Sequence, residues 1–167
     1  MTPMASWVPA YVGIGSNLGD SLARVRAAFD ALSQLPGCRL EARSRLYRTR
    51  PFGPVAQDDF INAVAGMLTT LSASALLAGI RGIEAAAGRV RAERWGPRTL
   101  DLDLLVFGNE RIDTSELVVP HPGIAERGFV LAPLADIAPT LNVPGVGQVE
   151  ALLRKLPEQG IAEVIAA

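Results

Sequence analysis

The order of its periodicities is what most constrains this chain. Residues 10–15 (AYVGIG) form a short apolar run that stops at Ser16-Asn17-Leu18-Gly19, which predicts a buried strand ending in a turn. Asp20 or Ser21 then caps a helix with Leu22, Val25, Phe29 and Leu32 on one face, ending near Pro36-Gly37. Residues 39–49 place Leu40, Ala42, Ser44 and Leu46 on one side and charged residues on the other, which is strand alternation. A loop at 50–59, punctuated by Pro51, Gly53 and Pro54, leads to another strand at 60–70. Ser72 or Ser74 caps a second helix carrying Leu76, Leu77, Ile80, Ile83 and Ala87. A polar loop follows at 88–97, and a strand at 99–107 closes on Gly108-Asn109. Strand, helix, strand, strand, helix, strand is the split βαβ order of an α+β, ferredoxin-like fold: a βαββαβ core whose antiparallel sheet carries both helices on one face. After Gly128 the pattern is mainly helical, over 129–137 and 149–156, so additional C-terminal helices are expected to cover more of the sheet. With no repeat, linker or low-complexity stretch, the 167 residues are expected to form one domain, 1–167.

Charge and cysteine usage remove several classes of function. The net charge of −1 gives no general attraction to nucleic acid or to an acidic membrane surface. No run approaches the ~18 apolar residues of a membrane span, and residues 1–10 lack the basic start and apolar stretch of a secretion signal. Cys38 is the only cysteine, so no intrachain disulfide forms. A cytoplasmic chain is expected, working as a monomer. Of the 16 basic residues all but Lys155 are arginine, so any phosphate clamp is built from forked, permanently charged guanidiniums.

The chemistry is expected where charge concentrates. In a strand, residues i and i+2 share a face, ~6.6 Å apart. Leu100, Leu102 and Leu104 therefore point one way while Asp101 and Asp103 point the other. Two adjacent carboxylates repel and are costly to bury without cations. Mg²⁺, which binds through one or two carboxylates plus substrate phosphates, is the natural partner; a solvated strand face is the alternative for a bare D-x-D. Just upstream, Arg89, Arg91, Arg94 and Arg98 against Glu93 give residues 89–98 a local charge of +3. Guanidiniums grip phosphate oxygens in pairs, and metal plus surrounding positive charge is what phosphoryl-type transfer requires. A solvated basic loop, or one touching nucleic acid, is the competing explanation. Residues 13–20 (GIGSNLGD) lack the spacing and the lysine of a Walker loop and read as a tight strand-to-helix turn. A lone histidine, His121, makes neither a zinc site nor a triad.

Residues 11–18 (YVGIGSNL), 46–62 (LYRTRPFGPVAQDDFIN), 88–109 (GRVRAERWGPRTLDLDLLVFGN) and 119–129 (VPHPGIAERGF) together resemble the 6-hydroxymethyl-7,8-dihydropterin pyrophosphokinase family of folate biosynthesis. The block RWGPRTLDLD is the most specific of them, and the likeness runs from about Tyr11 to Thr140. The resemblance implies a ferredoxin-like fold and transfer of pyrophosphate from ATP, the co-substrate, to the pterin hydroxymethyl group, with AMP released. It implies that Asp101 and Asp103 hold two Mg²⁺ ions, and that Arg89 and Arg98 steady the triphosphate and the charge that develops in transfer. Glu84, Arg91, Arg94, Trp95, Leu104, His121 and Arg127 match positions on the ATP side. Phe60 and Phe129 match an aromatic pair that sandwiches the pterin, Asn62 the amide that reads its edge, and Thr49 and Phe52 loop positions around the ring, with contacts expected largely through backbone. The chain departs from the family in three places. Its arginine loop is one residue shorter than in members with a lysine there, Pro122 follows His121 where an aromatic is common, and Phe60 stands where tyrosine is frequent.

Two other classes remain open on sequence alone. One is a nucleic-acid module using the arginine loop, which salt-sensitive oligonucleotide affinity would reveal. The other is a metal-dependent phosphohydrolase using the same aspartates with water as nucleophile. AMP formation that requires the pterin separates the transferase from both.

Overall fold

The structure, a computed structural model, describes residues 6–51, 54, 56–88, 99–157 and 160–166. Strand β1 (Val8–Ser16), which carries two glycines, lies inside the sheet, paired on both sides. Strand β4 (Phe60–Thr69) runs antiparallel along its whole length, and β5 (Asp101–Phe107) closes antiparallel on the other side. Between β1 and β4 in sequence come helix α1 (Ser21–Ser33) and strands β2 (Cys38–Arg43) and β3 (Leu46–Thr49), which both pair with β4; helix α2 (Ala73–Ala86) links β4 to β5. This is the expected ferredoxin-like βαββαβ core, with β1 between β4 and β5.

The helices begin where their caps allow. Of the two candidates at each start, Asp20 accepts the Ala23 N–H at 3.1 Å and Ser72 accepts that of Ala75 at 3.1 Å; each satisfies one orphan donor of a first turn. Both helices cover one face, where Val25, Phe29, Leu32, Leu76 and Ile80 meet Val12, Ile14, Ile61 and Leu102. The additional C-terminal helices, α3 (Gly128–Ile137) and α4 (Val149–Lys155), cover the other face over Val64, Leu105 and Val106. One short hairpin, β6 (Ile112–Asp113) with β7 (Val118–Val119), precedes α3, and another, β8 (Asn142–Val143) with β9 (Gly147–Gln148), separates α3 from α4. Among the described residues no helix is long and apolar enough to cross a membrane.

Two expectations are corrected. The single strand at 39–49 is two strands. A slip between Leu40 and Ala42 turns Ala42 against Gly66 and Ile137 beneath α3, while Leu40 and Leu46 stay in the α1/α2 core. A break follows at Ser44, whose Oγ accepts the Val64 N–H at 2.8 Å and donates to the Arg45 carbonyl at 2.7 Å. A hydroxyl that bonds locally in this way competes with the ladder. The tail also contains a strand, β10 (Ile161–Ile165), which extends the sheet beyond β3; its largely exposed residues carry no two-residue alternation to announce it.

The break at Ser44 puts Arg45 and Tyr47 against α3. Arg45 binds the Asp136 carboxylate through Nη2 at 2.8 Å, Nε at 3.2 Å and its backbone N–H at 3.1 Å, while the Tyr47 hydroxyl donates to Oδ1 at 2.8 Å. Burial raises the Asp136 carboxyl, but these hydrogen bonds outweigh it and hold it below the ordinary carboxylate range. Burial and the same carboxylate push Tyr47 up to about 12. A depressed carboxyl stabilises the fold above its unfolded value and loses that contribution as pH falls through the folded one. Tyr47→Phe should therefore cost about 1 kcal/mol at pH 7 in urea denaturation. Below pH ~4, where the unfolded carboxyl protonates, the difference between variant and wild type should shrink. A constant difference down to pH 2 would show that the clamp does not titrate.

Candidate active site

Residues directly opposite in an antiparallel ladder project from the same face. The pairs Tyr47↔Asn62, Asn62↔Gly15 and Gly15↔Asp101 thus form one row across β3, β4, β1 and β5, and Val64, Gly13 and Asp103 form the next. Tyr47 reaches α3, so this is the α3 face. With strands ~4.8 Å apart, the Asn62 and Asp101 positions are separated by about 10 Å. Only Gly15 lies between them in that row, so no side chain rises from β1 along this strip; the corresponding space at Gly13 is filled by the Leu105 side chain.

The aspartates stand half-buried on this face, while Leu100, Leu102 and Leu104 are buried under α1 and α2. Asp101 and Asp103 are thus brought together as expected; the Leu104 side chain points away from them. Glu84 takes the position on α2 that its periodicity would reserve for an apolar residue and is 3% exposed. Its Oε2 accepts the Leu102 N–H at 2.8 Å and its Oε1 accepts Arg81 Nη1 at 2.8 Å. An edge strand leaves such amides unpaired, so Glu84 fastens α2 to the aspartate strand between the two carboxylates.

His121 is placed by its backbone N–H, which donates to the Leu105 carbonyl of β5 at 2.9 Å. Its Nδ1 accepts the Gly123 N–H at 3.2 Å. Burial first, and the Arg127 guanidinium second, lower its pKa to about 4 against an opposing pull from Asp101. The ring is therefore neutral at pH 7 with its proton on Nε2, a hydrogen-bond donor without charge. The Arg127 guanidinium lies on Gly123, where a Cβ would come within 2.7 Å of Nε, and sits 5.8 Å from the centre of the Phe129 ring. Asp101, His121, Arg127 and Phe129 thus converge beside the glycine strip.

At the other end of the strip, Asn62 Nδ2 donates to the buried Thr49 hydroxyl at 2.6 Å. Gly15 lies under the amide: a Cβ there would come within 2.8 Å of Asn62 Oδ1 and 3.9 Å of the Phe60 ring. Phe60, two residues before Asn62 on β4, shares its face, and Phe129 enters that face at the start of α3. Phe52, Arg89, Arg91, Arg94, Trp95 and Arg98 lie outside the described residues. The sequence reading took no functional part from Gly13 and Gly15 or from the Thr49 side chain. A G-x-G spacing inside a strand, with both glycines on one face, was the available signal.

A separate cleft of about 550 Å³ opens at the start of α1, lined by Asn17, Asp20, Arg48, Gln57, Asp58 and Ile61 among others. Arg48 and Ile61 alternate with Tyr47 and Asn62, so the cleft belongs to the opposite face. Its carboxylates, with Arg48 bonded to Glu163 at 3.1 Å, do not suit a polyphosphate.

The family model for 7,8-dihydro-6-hydroxymethylpterin-pyrophosphokinase (HPPK) matches residues 11–139. The chain belongs to this family. It is 46% identical over 157 residues to the 2-amino-4-hydroxy-6-hydroxymethyldihydropteridine pyrophosphokinase of Pseudomonas aeruginosa, covering 94% of this chain and 97% of that one. It is 46% identical over 155 residues to the enzyme of the same name in Methylorubrum extorquens, covering 93% and 98%. Among solved structures it is similar in fold to Plasmodium falciparum HPPK-DHPS wild type with pteroate, with a TM-score of 0.67 at 15% identity. That match covers 93% of this chain and 43% of the Plasmodium chain. As a pyrophosphokinase the chain is a transferase.

Proposed function

We propose that this pyrophosphokinase transfers the pyrophosphoryl group of ATP to the hydroxymethyl oxygen of 6-hydroxymethyl-7,8-dihydropterin, with the pterin at the Asn62 end of the strip and the phosphates at the aspartate end. One observation carries the reading: an amide and a carboxylate face the same side of the sheet, two strands apart, with only Gly15 between them in their row. The new bond joins the hydroxymethyl oxygen to the β-phosphorus while the bond to the α-phosphate oxygen breaks, and AMP leaves.

Asp101 and Asp103 fit Mg²⁺. Their oxygens are hard donors, and among the described residues no group of three or more acidic, histidine or cysteine side chains could hold an ion. Two carboxylates completed by water and phosphate oxygens suit Mg²⁺ better than a cage built wholly from protein. Bound there, two such ions would neutralise phosphate charge as it shifts in transfer. The rest falls to the chain's own groups. Neutral His121 and charged Arg127 border the carboxylates on the ATP side, and Arg89, Arg91, Arg94 and Arg98 supply positive charge from the preceding loop. Trp95 belongs to the same side. Glu84 holds the aspartate strand against α2. Phe60 and Phe129 stack on the pterin, and Thr49 and Phe52 flank it. With no general base in this set, positioning and electrostatics carry the rate. The chain works as one cytoplasmic domain and as a monomer.

ATP, Mg²⁺ and the pterin alcohol incubated with the protein should give AMP and pterin diphosphate in equal amounts; AMP released without pterin would favour the phosphohydrolase. Phe60→Ala and Phe129→Ala should each weaken pterin binding by ~1–3 kcal/mol, since burial and stacking are both lost. ATP affinity should barely change. Parallel losses for both ligands with a falling melting temperature would make the two rings ordinary core.

A further inference from the structure

An asparagine amide reads a ligand edge only if the amide itself is held in place. The carbonyl end accepts, the amino end donates, and the two have nearly the same shape. In this chain both ends of Asn62 are constrained. Nδ2 is tied to Thr49 Oγ1 at 2.6 Å, and Thr49 itself is 1% exposed on β3. Oδ1 lies over β1 in the space that any side chain at position 15 would occupy. Among the described residues nothing donates to that oxygen.

We propose that the Thr49 hydroxyl and the missing side chain of Gly15 are specificity-determining positioning elements. Together they hold the Asn62 amide in place over β1 and so fix where a ligand edge must lie for the pyrophosphokinase to read it. The inference rests on the proposed pterin site and assigns to Thr49 a role carried by its side chain rather than its backbone. A 2-amino-4-oxo pterin edge presents donors and acceptors in a fixed order, and one fixed amide matches that order. An amide that swivels matches it only part of the time, and the buried Nδ2 must then find another partner.

The test is Thr49→Val, which keeps the shape and removes the hydroxyl, beside Thr49→Ser, which restores the hydroxyl. Each is assayed with the pterin alcohol and with an analogue lacking the 2-amino group. In Thr49→Val the KM for the pterin should rise about tenfold or more, with kcat and the KM for ATP little changed. The preference for the pterin over the analogue should narrow by a similar factor, and Thr49→Ser should recover most of both. Gly15→Ala, whose methyl group displaces the amide directly, should show the same loss of preference and serves if Thr49→Val folds poorly. Unchanged KM and unchanged preference in Thr49→Val would overturn the proposal. So would equal losses for pterin, analogue and ATP with a lowered melting temperature, which mark a purely structural hydroxyl. A wild-type protein that neither binds nor turns over the pterin would remove the underlying site assignment, and the inference with it.

Discussion

Asp101→Ala and Asp103→Ala should each lower turnover by about 10³-fold or more at saturating ATP, pterin and Mg²⁺. Each removes half of the carboxylate pair that projects from β5 beside Gly15 and Gly13. The fold should survive. The residues that anchor β5 are Leu102, Leu104 and Phe107 in the core under the helices, and the Leu102 amide remains bonded to Glu84. Circular dichroism and a melting temperature within a few degrees of wild type would establish this. Added Mg²⁺ up to tens of millimolar should not restore the rate if, as proposed, the lost group is a ligand rather than a source of general negative charge. Near-normal turnover by either variant would remove the aspartates from the metal site.

The second large effect is expected at Asn62. Leucine is close to asparagine in shape, but Asn62→Leu takes away donor and acceptor together and sets an apolar group against the polar edge of the pterin. A site built to hydrogen-bond a ligand loses heavily when partners are left unpaired, so the pterin KM should rise by about 100-fold or more. Thr49 Oγ1 loses its partner too, which should cost about 1 kcal/mol of stability. ATP binding measured without pterin should be unaffected. Should both substrates weaken alike, Asn62 is part of the framework and the pterin lies elsewhere.

Much of this was legible in the sequence, and the misses have physical reasons. The helices announced themselves through their caps at Asp20 and Ser72 and their apolar stripes. The aspartate strand was readable because Leu100, Leu102 and Leu104 alternate with acidic residues. Alternation failed at 39–49, where Ser44 turns its hydroxyl to the backbone and two irregularities shift which side chains face the core. It failed again at β10, whose pairing is fixed by β3 rather than by any pattern of its own. Within the site, Asp101 and Asp103 could be paired from spacing alone. That Asn62 lies in their row could not, because that depends on the register of β4 and β5 against β1. The buried carboxylate of Glu84 broke an apolar stripe, and its partner, a backbone amide on β5, has no signature in the sequence.

The pairing of β10 with β3 bears on the order in which the site matures. Ile161 pairs with Thr49, and the Gly160 carbonyl accepts the Arg50 N–H at 3.0 Å, so this contact spans most of the chain. During synthesis from the N-terminus, β1, β4 and β5 can assemble with their two helices while the outer amides of β3 still lack a neighbour. An open strand of that kind recruits other chains. The Asp101 end of the strip therefore closes early, and the strand that carries Thr49 stays a raw edge until 161–165 arrive. A nascent or proteolytically clipped chain that lacks those five residues would keep both hydrophobic cores. Such a chain would expose the open edge of β3, the strand that carries Thr49.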